Sequence, residues 1–130
     1  MLIDTGGLQS LFDSSEAHHV QAKQFYWAAQ SRVTTNYVLA EYAALAHSRG
    51  TPRSHILTFS SEALDDPDLE VVWVDEELHR RAVDLLKRRP DKGYSICDAV
   101  SMVLMKDRGI TEALTTDKHF VQEGFTRLLE

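Results

Sequence analysis

The chain alternates short apolar segments with longer segments of helical periodicity, and this alternation limits the possible folds more than any other feature of the sequence. Runs of β-branched and aromatic residues predict strands, whereas apolar residues at every third or fourth position predict helices. Short strands that alternate with helices favour a parallel sheet, because each helix carries the chain back to the edge where the next strand starts. We therefore predict an α/β fold, a three-layer α/β/α sandwich with a short parallel sheet covered by helices on both faces.

The predicted strands and helices cover most of the chain. The clearest strand signal is LEVVWV at 69–74, and further strands are predicted at 1–3, 32–35, 113–116 and 126–129. Helices are predicted at 8–12, 17–29, 36–47, 52–64, 76–89 and 95–108, with a helical turn at 118–121. The apolar positions of the 17–29 helix are Val20, Phe25, Trp27 and Ala28, and those of the 76–89 helix are Leu78, Ala82, Leu85 and Leu86.

The length and composition are typical of a globular protein. With 130 residues, of which 43% are hydrophobic and 26% charged, the sequence predicts a single domain over 1–130 with one real core. No apolar run is long enough to cross a bilayer, so no membrane partner is predicted. The single cysteine, Cys97, cannot form an internal disulfide, which favours a cytoplasmic protein.

The charge is acidic overall but unevenly distributed. A net charge of −6 argues against a protein that coats nucleic acid through a broadly basic surface. The segment from residue 79 to 92 is nevertheless basic, and its predicted RNA-binding residues are Arg80, Arg81, Lys87, Arg88 and Lys92. The alternative for this segment is a solvated helix face balanced by neighbouring glutamates.

Two carboxylates follow predicted strands. Asp4 comes directly after the strand at 1–3, and Asp117 directly after the strand at 113–116. In an open parallel sheet the carboxyl ends of the strands form the ligand-binding edge, so these two acids are expected at one edge. Taken singly, each is also an ordinary turn or cap residue.

Two further carboxylates lie on predicted helices. Glu41 either reaches solvent from the edge of the 36–47 helix or projects into a polar cleft, and the sequence supports both equally. Asp98 follows Ser95 by three residues, which is the spacing of a helix capping box. An acid in so apolar a helix otherwise needs a partner, because an unpaired buried charge is costly.

Taken together, the four acids indicate a metal site. Clustered carboxylates repel one another unless a cation holds them, and oxygen ligands suit Mg²⁺ or Mn²⁺. Such a site supports metal-assisted hydrolysis of phosphodiester bonds, in which the metal activates water and stabilises the leaving oxygen.

The segments LIDT, VLAEYAAL, SICDAVS and LTTDKHF resemble the PIN domain, and in particular the VapC-like ribonuclease toxins of toxin–antitoxin modules. The resemblance implies an α/β/α sandwich and Mg²⁺- or Mn²⁺-dependent cleavage of single-stranded RNA. It implies catalytic and metal-binding roles for Asp4, Glu41, Asp98 and Asp117, and supporting roles for Thr5 and Thr115. It also implies a small antitoxin partner and a homodimer.

Rival functions stay open at this stage. Asp4 could be the nucleophile of an aspartyl phosphotransferase, although Gly6 stands where that class usually has a second aspartate. A non-catalytic receiver-like or protein-interaction module is the other alternative.

The six histidines form no zinc motif. His119 lies near Asp117 and could contact RNA or an acidic site, but we interpret it as a surface residue. Cys97 is predicted to lie in the core, and Trp27 in the core or at an interface.

Overall fold

The structure, a computed structural model, describes residues 1–130 as five strands and seven helices in alternation. The strands are β1 (Leu2–Ile3), β2 (Val33–Thr35), β3 (Glu70–Val72), β4 (Glu112–Leu114) and β5 (Thr126–Arg127). The helices are α1 (Thr5–Phe12), α2 (His19–Ala28), α3 (Asn36–Ser48), α4 (Arg53–Asp65), α5 (Glu76–Arg88), α6 (Ile96–Arg108) and α7 (His119–Gln122). None of these helices combines the length and apolarity that crossing a membrane requires.

The five strands form one parallel sheet in the order β3-β2-β1-β4-β5. Strand β1 lies at the centre, where Leu2 pairs with Val33 of β2 and Ile3 pairs with Leu114 of β4. Because all strands run in one direction, their carboxyl ends share one edge. The residues that follow β1 and β4 therefore lie next to each other, although more than a hundred residues separate them in the chain.

Helices pack on both faces of the sheet, which confirms the predicted α/β/α sandwich. On one face, α5 and α6 build a core with Leu2 and Ala113, whose side chains point to that side. On the other face, residues of α1, α2, α3 and α4 pack with Ile3 and Leu114. Neighbouring strand residues point to opposite faces, so both cores share one short sheet.

Helix α1 begins three residues earlier than predicted, at Thr5, because its first turn lies directly on β4. A Cβ atom on Gly7 would lie 2.2 Å from the carbonyl oxygen of Leu114, and one on Gly6 would lie 2.8 Å from Oγ1 of Thr116. Only glycine permits this close approach. The two glycines thus belong inside the helix and bring the end of β1 against the end of β4.

The prediction of an apolar face on the second helix was largely wrong. Ala22 is the one buried residue of α2, whereas Val20 and Trp27 are 67% and 65% exposed. The Arg32 guanidinium lies 4.6 Å from the ring centre of Tyr26 and 5.4 Å from that of Trp27, so a cation–π contact covers part of the aromatic surface. The predicted face of α5 is confirmed, since Ala82 and Leu85 are buried.

Candidate active site

Asp4 stands between the end of β1 and the start of α1, at the carboxyl edge of the sheet. It is only 4% exposed, and its Oδ2 accepts a hydrogen bond of 2.8 Å from the hydroxyl of Thr115. The same hydroxyl accepts a 3.0 Å hydrogen bond from the backbone amide of Asp117. Thr115 therefore connects the two strand-end acids, which gives its predicted supporting position a physical basis.

Asp98 lies in the first turn of α6, where the predicted capping box is confirmed. Its backbone amide donates to Oγ of Ser95, and its own Oδ2 accepts from the Ser95 amide, both at 3.0 Å. The capping box uses Oδ2 only, so Oδ1 of Asp98 takes no part in it. The structural role and a ligand role are therefore compatible.

Asp117 and His119 form a tight turn after β4. Oδ1 of Asp117 accepts a 2.9 Å hydrogen bond from the backbone amide of His119, and the imidazole Nδ1 lies 3.2 Å from that same oxygen. The side chain of His119 is only 25% exposed, so the interpretation as a surface histidine was wrong and the alternative, contact with an acidic site, is confirmed. The sequence signal for this contact is the Asp-x-His spacing, because such a turn folds the ring back towards the aspartate.

Glu41 lies on the exposed side of α3, at the rim of this acidic group. Its charge raises the pKa of both Asp4 and Asp98, and it contacts the thiol of Cys97. Glu41 thus reaches solvent and also acts on the cluster, so both of the alternatives considered for it hold in part. Burial raises the pKa of Cys97, and nearby acids raise it further, as expected for a core thiol and not for a nucleophile.

The remaining predicted supporting residue, Thr5, is buried beside Asp4. Its Oγ1 has no hydrogen-bond partner in the structure.

The electrostatics of the edge favour a bound cation. We call Asp4, Glu41, Asp98 and Asp117 the edge acids. Desolvation raises the pKa of Asp4 to about 7, Thr115 opposes this, and the charges of Asp98 and Glu41 add to it. Burial likewise raises the pKa of Asp98, against the Ser95 hydrogen bond and with help from Asp117. No arginine or lysine forms an ion pair with any edge acid.

Comparison with known proteins identifies the family of this chain. Residues 1–125 match the profile of the PIN domain.

The chain belongs to the PIN-domain family.

A relative from Mycobacterium tuberculosis, the 23S rRNA-specific endonuclease VapC20, is 29% identical over 130 residues, which cover 98% of this chain and 97% of the relative. The crystal structure of M. tuberculosis VapC20, described as a sarcin–ricin loop cleaving toxin, superimposes with a TM-score of 0.89 at 26% identity. That match covers 99% of this chain and 98% of the other.

Family membership confirms the predicted fold class and the predicted class of enzyme, a hydrolase of phosphodiester bonds. PIN domains are metal-dependent nucleases, so the aspartyl phosphotransferase and the non-catalytic module lose their support. The catalytic and metal-binding roles that the resemblance implied for Asp4, Glu41, Asp98 and Asp117 stay predictions.

The residues at the edge of this PIN domain fit a divalent cation. One ligand atom each from Asp98, Asp117 and His119 lie within 4.8 Å of one another. Oδ1 of the buried Asp4 has no hydrogen-bond partner, although buried polar atoms normally have one. Carboxylate oxygens are the donors that hard divalent ions take. Asp4 and Glu41 lie outside the tightest group of ligand atoms.

The predicted RNA-binding cations are mostly occupied by neighbouring acids. Arg80 pairs with Glu76 on the same helix, Arg81 with Asp107 and Lys92 with Asp91. Neither Lys87 nor Arg88 forms a salt bridge. Much of the basic character of α5 is therefore balanced within the PIN domain itself.

Proposed function

We propose that this PIN domain is a metal-dependent endoribonuclease that cleaves single-stranded or structured RNA, and that it is the toxin of a toxin–antitoxin pair. One observation supports the proposal most strongly. Asp4 is only 4% exposed, and its unpartnered Oδ1 lies at an edge of the sheet that holds several acids and no arginine or lysine. A cation relieves the repulsion among such acids when they are ionised, and a cation among carboxylates is suited to hydrolysis of phosphodiesters.

The edge acids have different roles in the proposed mechanism. Asp4, Asp98 and Asp117 hold the principal ion, Mg²⁺ or Mn²⁺, directly or through water. When bound, the ion lowers the pKa of water and stabilises negative charge at the phosphate. Thr115 fixes the Asp4 carboxylate through Oδ2, which leaves Oδ1 for the ligand role. Glu41, at the rim, holds a second ion or accepts a hydrogen bond from the attacking water and orients it.

The proposed partners follow from the acidic site and from the family. RNA is the substrate, and the 23S rRNA cleaved by the relatives is the first RNA to test. Lys87 and Arg88 are the cations of α5 best able to contact the RNA backbone, while Arg80, Arg81 and Lys92 must first exchange their ion pairs. We further propose a cognate antitoxin, a homodimer, a cytoplasmic location and a single functional unit over 1–130.

A cleavage assay with matched RNAs tests the proposal. The purified chain is incubated with an RNA that contains the sarcin–ricin loop, a scrambled RNA of equal length and an unstructured RNA, with Mg²⁺, with Mn²⁺ or with EDTA. We expect internal cuts that require metal and disappear in Asp4→Asn. Cleavage that persists in EDTA, or equally in the variant, would contradict the proposed site.

A further inference from the structure

The imidazole of His119 lies within the acidic edge and has no part in the mechanism above. Its Nδ1 atom is buried and has no hydrogen-bond partner. The same atom lies 3.2 Å from Oδ1 of Asp117 and 3.6 Å from Oδ2 of Asp98. A buried nitrogen that is close to two carboxylates and hydrogen-bonded to neither needs a physical explanation.

The spacing of these three atoms suits ligands of one ion. Neighbouring ligands of an octahedral ion at about 2.1 Å are about 3.0 Å apart, and opposite ligands are about 4.2 Å apart. The two distances from Nδ1 fall between these limits, and the ligand atoms of Asp98, Asp117 and His119 all lie within 4.8 Å. Oδ2 of Asp98 can bind an ion while it accepts the capping hydrogen bond of Ser95, because a carboxylate oxygen has two lone pairs. Small adjustments therefore bring all three onto a common ion.

The direction of the nitrogen supports the same conclusion. A hydrogen-bond acceptor lies along the N–H direction of the ring, whereas ligands that share an ion with the ring lie to either side of its lone pair. Oδ1 of Asp117 lies within hydrogen-bond distance of Nδ1, at 3.2 Å, yet it accepts no hydrogen bond from that atom, and Oδ2 of Asp98 lies just beyond that distance, at 3.6 Å. A carboxylate oxygen this close to a ring nitrogen without a hydrogen bond to it is the arrangement expected of two ligands that share an ion.

The protein also holds the ring in place. The ring of Tyr94 packs edge-on against the imidazole at 5.4 Å between centres. Gly93 lies close to Nε2, where a Cβ atom would be 3.5 Å away. The backbone amide of His119 is fixed by its hydrogen bond to Asp117. A ligand held in this way needs little reorganisation to bind an ion.

We propose that His119 is a nitrogen ligand of the divalent cation, next to Asp98 and Asp117, and that it makes the site prefer Mn²⁺ to Mg²⁺. Imidazole nitrogen suits transition metals, whereas Mg²⁺ takes oxygen ligands almost throughout. The unpartnered Oδ1 of Asp4 is an independent sign of a ligand at this edge. The inference rests on the proposed function, because both require a cation at this edge. It adds His119 as the nitrogen donor that makes the site select Mn²⁺.

Pulsed electron paramagnetic resonance of the full chain loaded with Mn²⁺ tests the proposal. The protein is produced with ¹⁵N only in histidine, and the spin-echo modulation is recorded for the wild type, His119→Gln and His55→Gln. His55 is exposed on α4 and serves as the matched control. We expect ¹⁵N coupling in the wild type and in His55→Gln, and none in Mn²⁺-loaded His119→Gln.

Calorimetric titration with Mn²⁺ and Mg²⁺ gives a second readout that does not depend on activity. We expect the Kd for Mn²⁺ to rise by at least about tenfold in His119→Gln while the Kd for Mg²⁺ changes by less than about threefold. His119→Asn replaces this variant if circular dichroism shows that the glutamine variant is unfolded.

The outcomes separate this inference from the proposed function. Mn²⁺ that binds the wild type without histidine coupling overturns the role of His119 and leaves an all-oxygen metal site intact. An equal loss of Mg²⁺ and Mn²⁺ affinity in His119→Gln overturns the selectivity. A wild-type chain that binds neither ion and cleaves no RNA overturns both proposals.

Discussion

Two groups of acids in this molecule differ in whether an arginine compensates their negative charge. Beside α5 and α6, three acids are matched with arginines, and we call this surface the arginine-paired face. Arg108 contacts both carboxylate oxygens of Glu70 at 2.7 and 2.8 Å, and Arg81 contacts both oxygens of Asp107. Arg89 lies 2.9 Å from Glu123. The edge acids have no arginine or lysine, although Asp4 and Asp98 are buried.

We infer from this difference that a cation from solution neutralises the edge acids. An arginine at the edge would relieve the repulsion and lower the pKa values of the acids, as Arg108 does for Glu70. It would also occupy the place that a catalytic ion needs. The PIN domain thus gives up stability at its edge and retains it in the ion pairs of the arginine-paired face, and four predictions test this contrast.

The largest effect is expected at the centre of the edge. Asp4→Asn removes a ligand charge and should lower the rate of RNA cleavage by at least about 1000-fold while the fold is kept. The rate is measured with metal in excess, and far-ultraviolet circular dichroism checks the fold. Asp107→Asn, on the arginine-paired face, is the control and should cleave within about twofold of the wild type. Equal losses of cleavage rate in Asp4→Asn and Asp107→Asn would contradict the contrast between the two groups of acids.

The next effect is the pH dependence of stability without metal. The pKa of Asp4 is about 7 in the folded chain, against 3.8 as its ordinary value. Between these values the folded state holds a proton that the unfolded state has lost, so stability is complete below pH 4 and is lost as the pH rises through 7. We expect the free energy of unfolding in EDTA to fall by about 3 kcal/mol from pH 5 to pH 8.

Urea unfolding of the wild type and Asp4→Asn at both pH values measures this loss. The neutral asparagine should remove most of the decline, and Mn²⁺ or Mg²⁺ should restore stability to the wild type at pH 8. A wild-type chain that gains stability from pH 5 to pH 8 in EDTA would show that the edge acids are compensated by another group.

A smaller effect is expected for the most buried ion pair of the arginine-paired face. The side chain of Glu123 is 3% exposed, whereas that of its partner Arg89 is 38% exposed. Glu123→Ala should destabilise the fold by about 2 kcal/mol, because a half-exposed arginine recovers part of its hydration. Urea unfolding at pH 7 measures the change, and cleavage corrected for the folded fraction should be unaltered.

The smallest effect is expected for the exposed pair of Glu70 and Arg108. Arg108 lowers the pKa of Glu70, so its contribution is present at neutral pH and is lost as the pH falls through the lowered value, opposite in sign to Asp4. Glu70→Gln should cost about 0.5 kcal/mol at low salt and less at high salt. A cost as large as that of Glu123→Ala would mean that burial does not set the strength of these pairs.

The local features of the site were readable from the sequence. The capping box of Ser95 and Asp98 depends on residues three apart, and both acids that follow strands were placed correctly because β1 and β4 are marked by short apolar runs. The start of α1 was missed, because glycines inside a helix oppose its propensity unless another strand must approach closely. For His119 the sequence left surface exposure and contact with an acidic site both open, because a turn, and not a periodic pattern, directs its ring.

By itself, the sequence determined the alternation of strands and helices, the carboxylate at the end of β1 and of β4, and the family that these motifs indicate. These features depend on neighbours a few residues apart. Only the tertiary structure decided which acids receive an arginine, which oxygen of Asp4 has no partner and which ring reaches the cluster. Charge and hydrogen-bond interactions depend on separations of a few ångströms in space, and the order of strands in the sheet sets those separations.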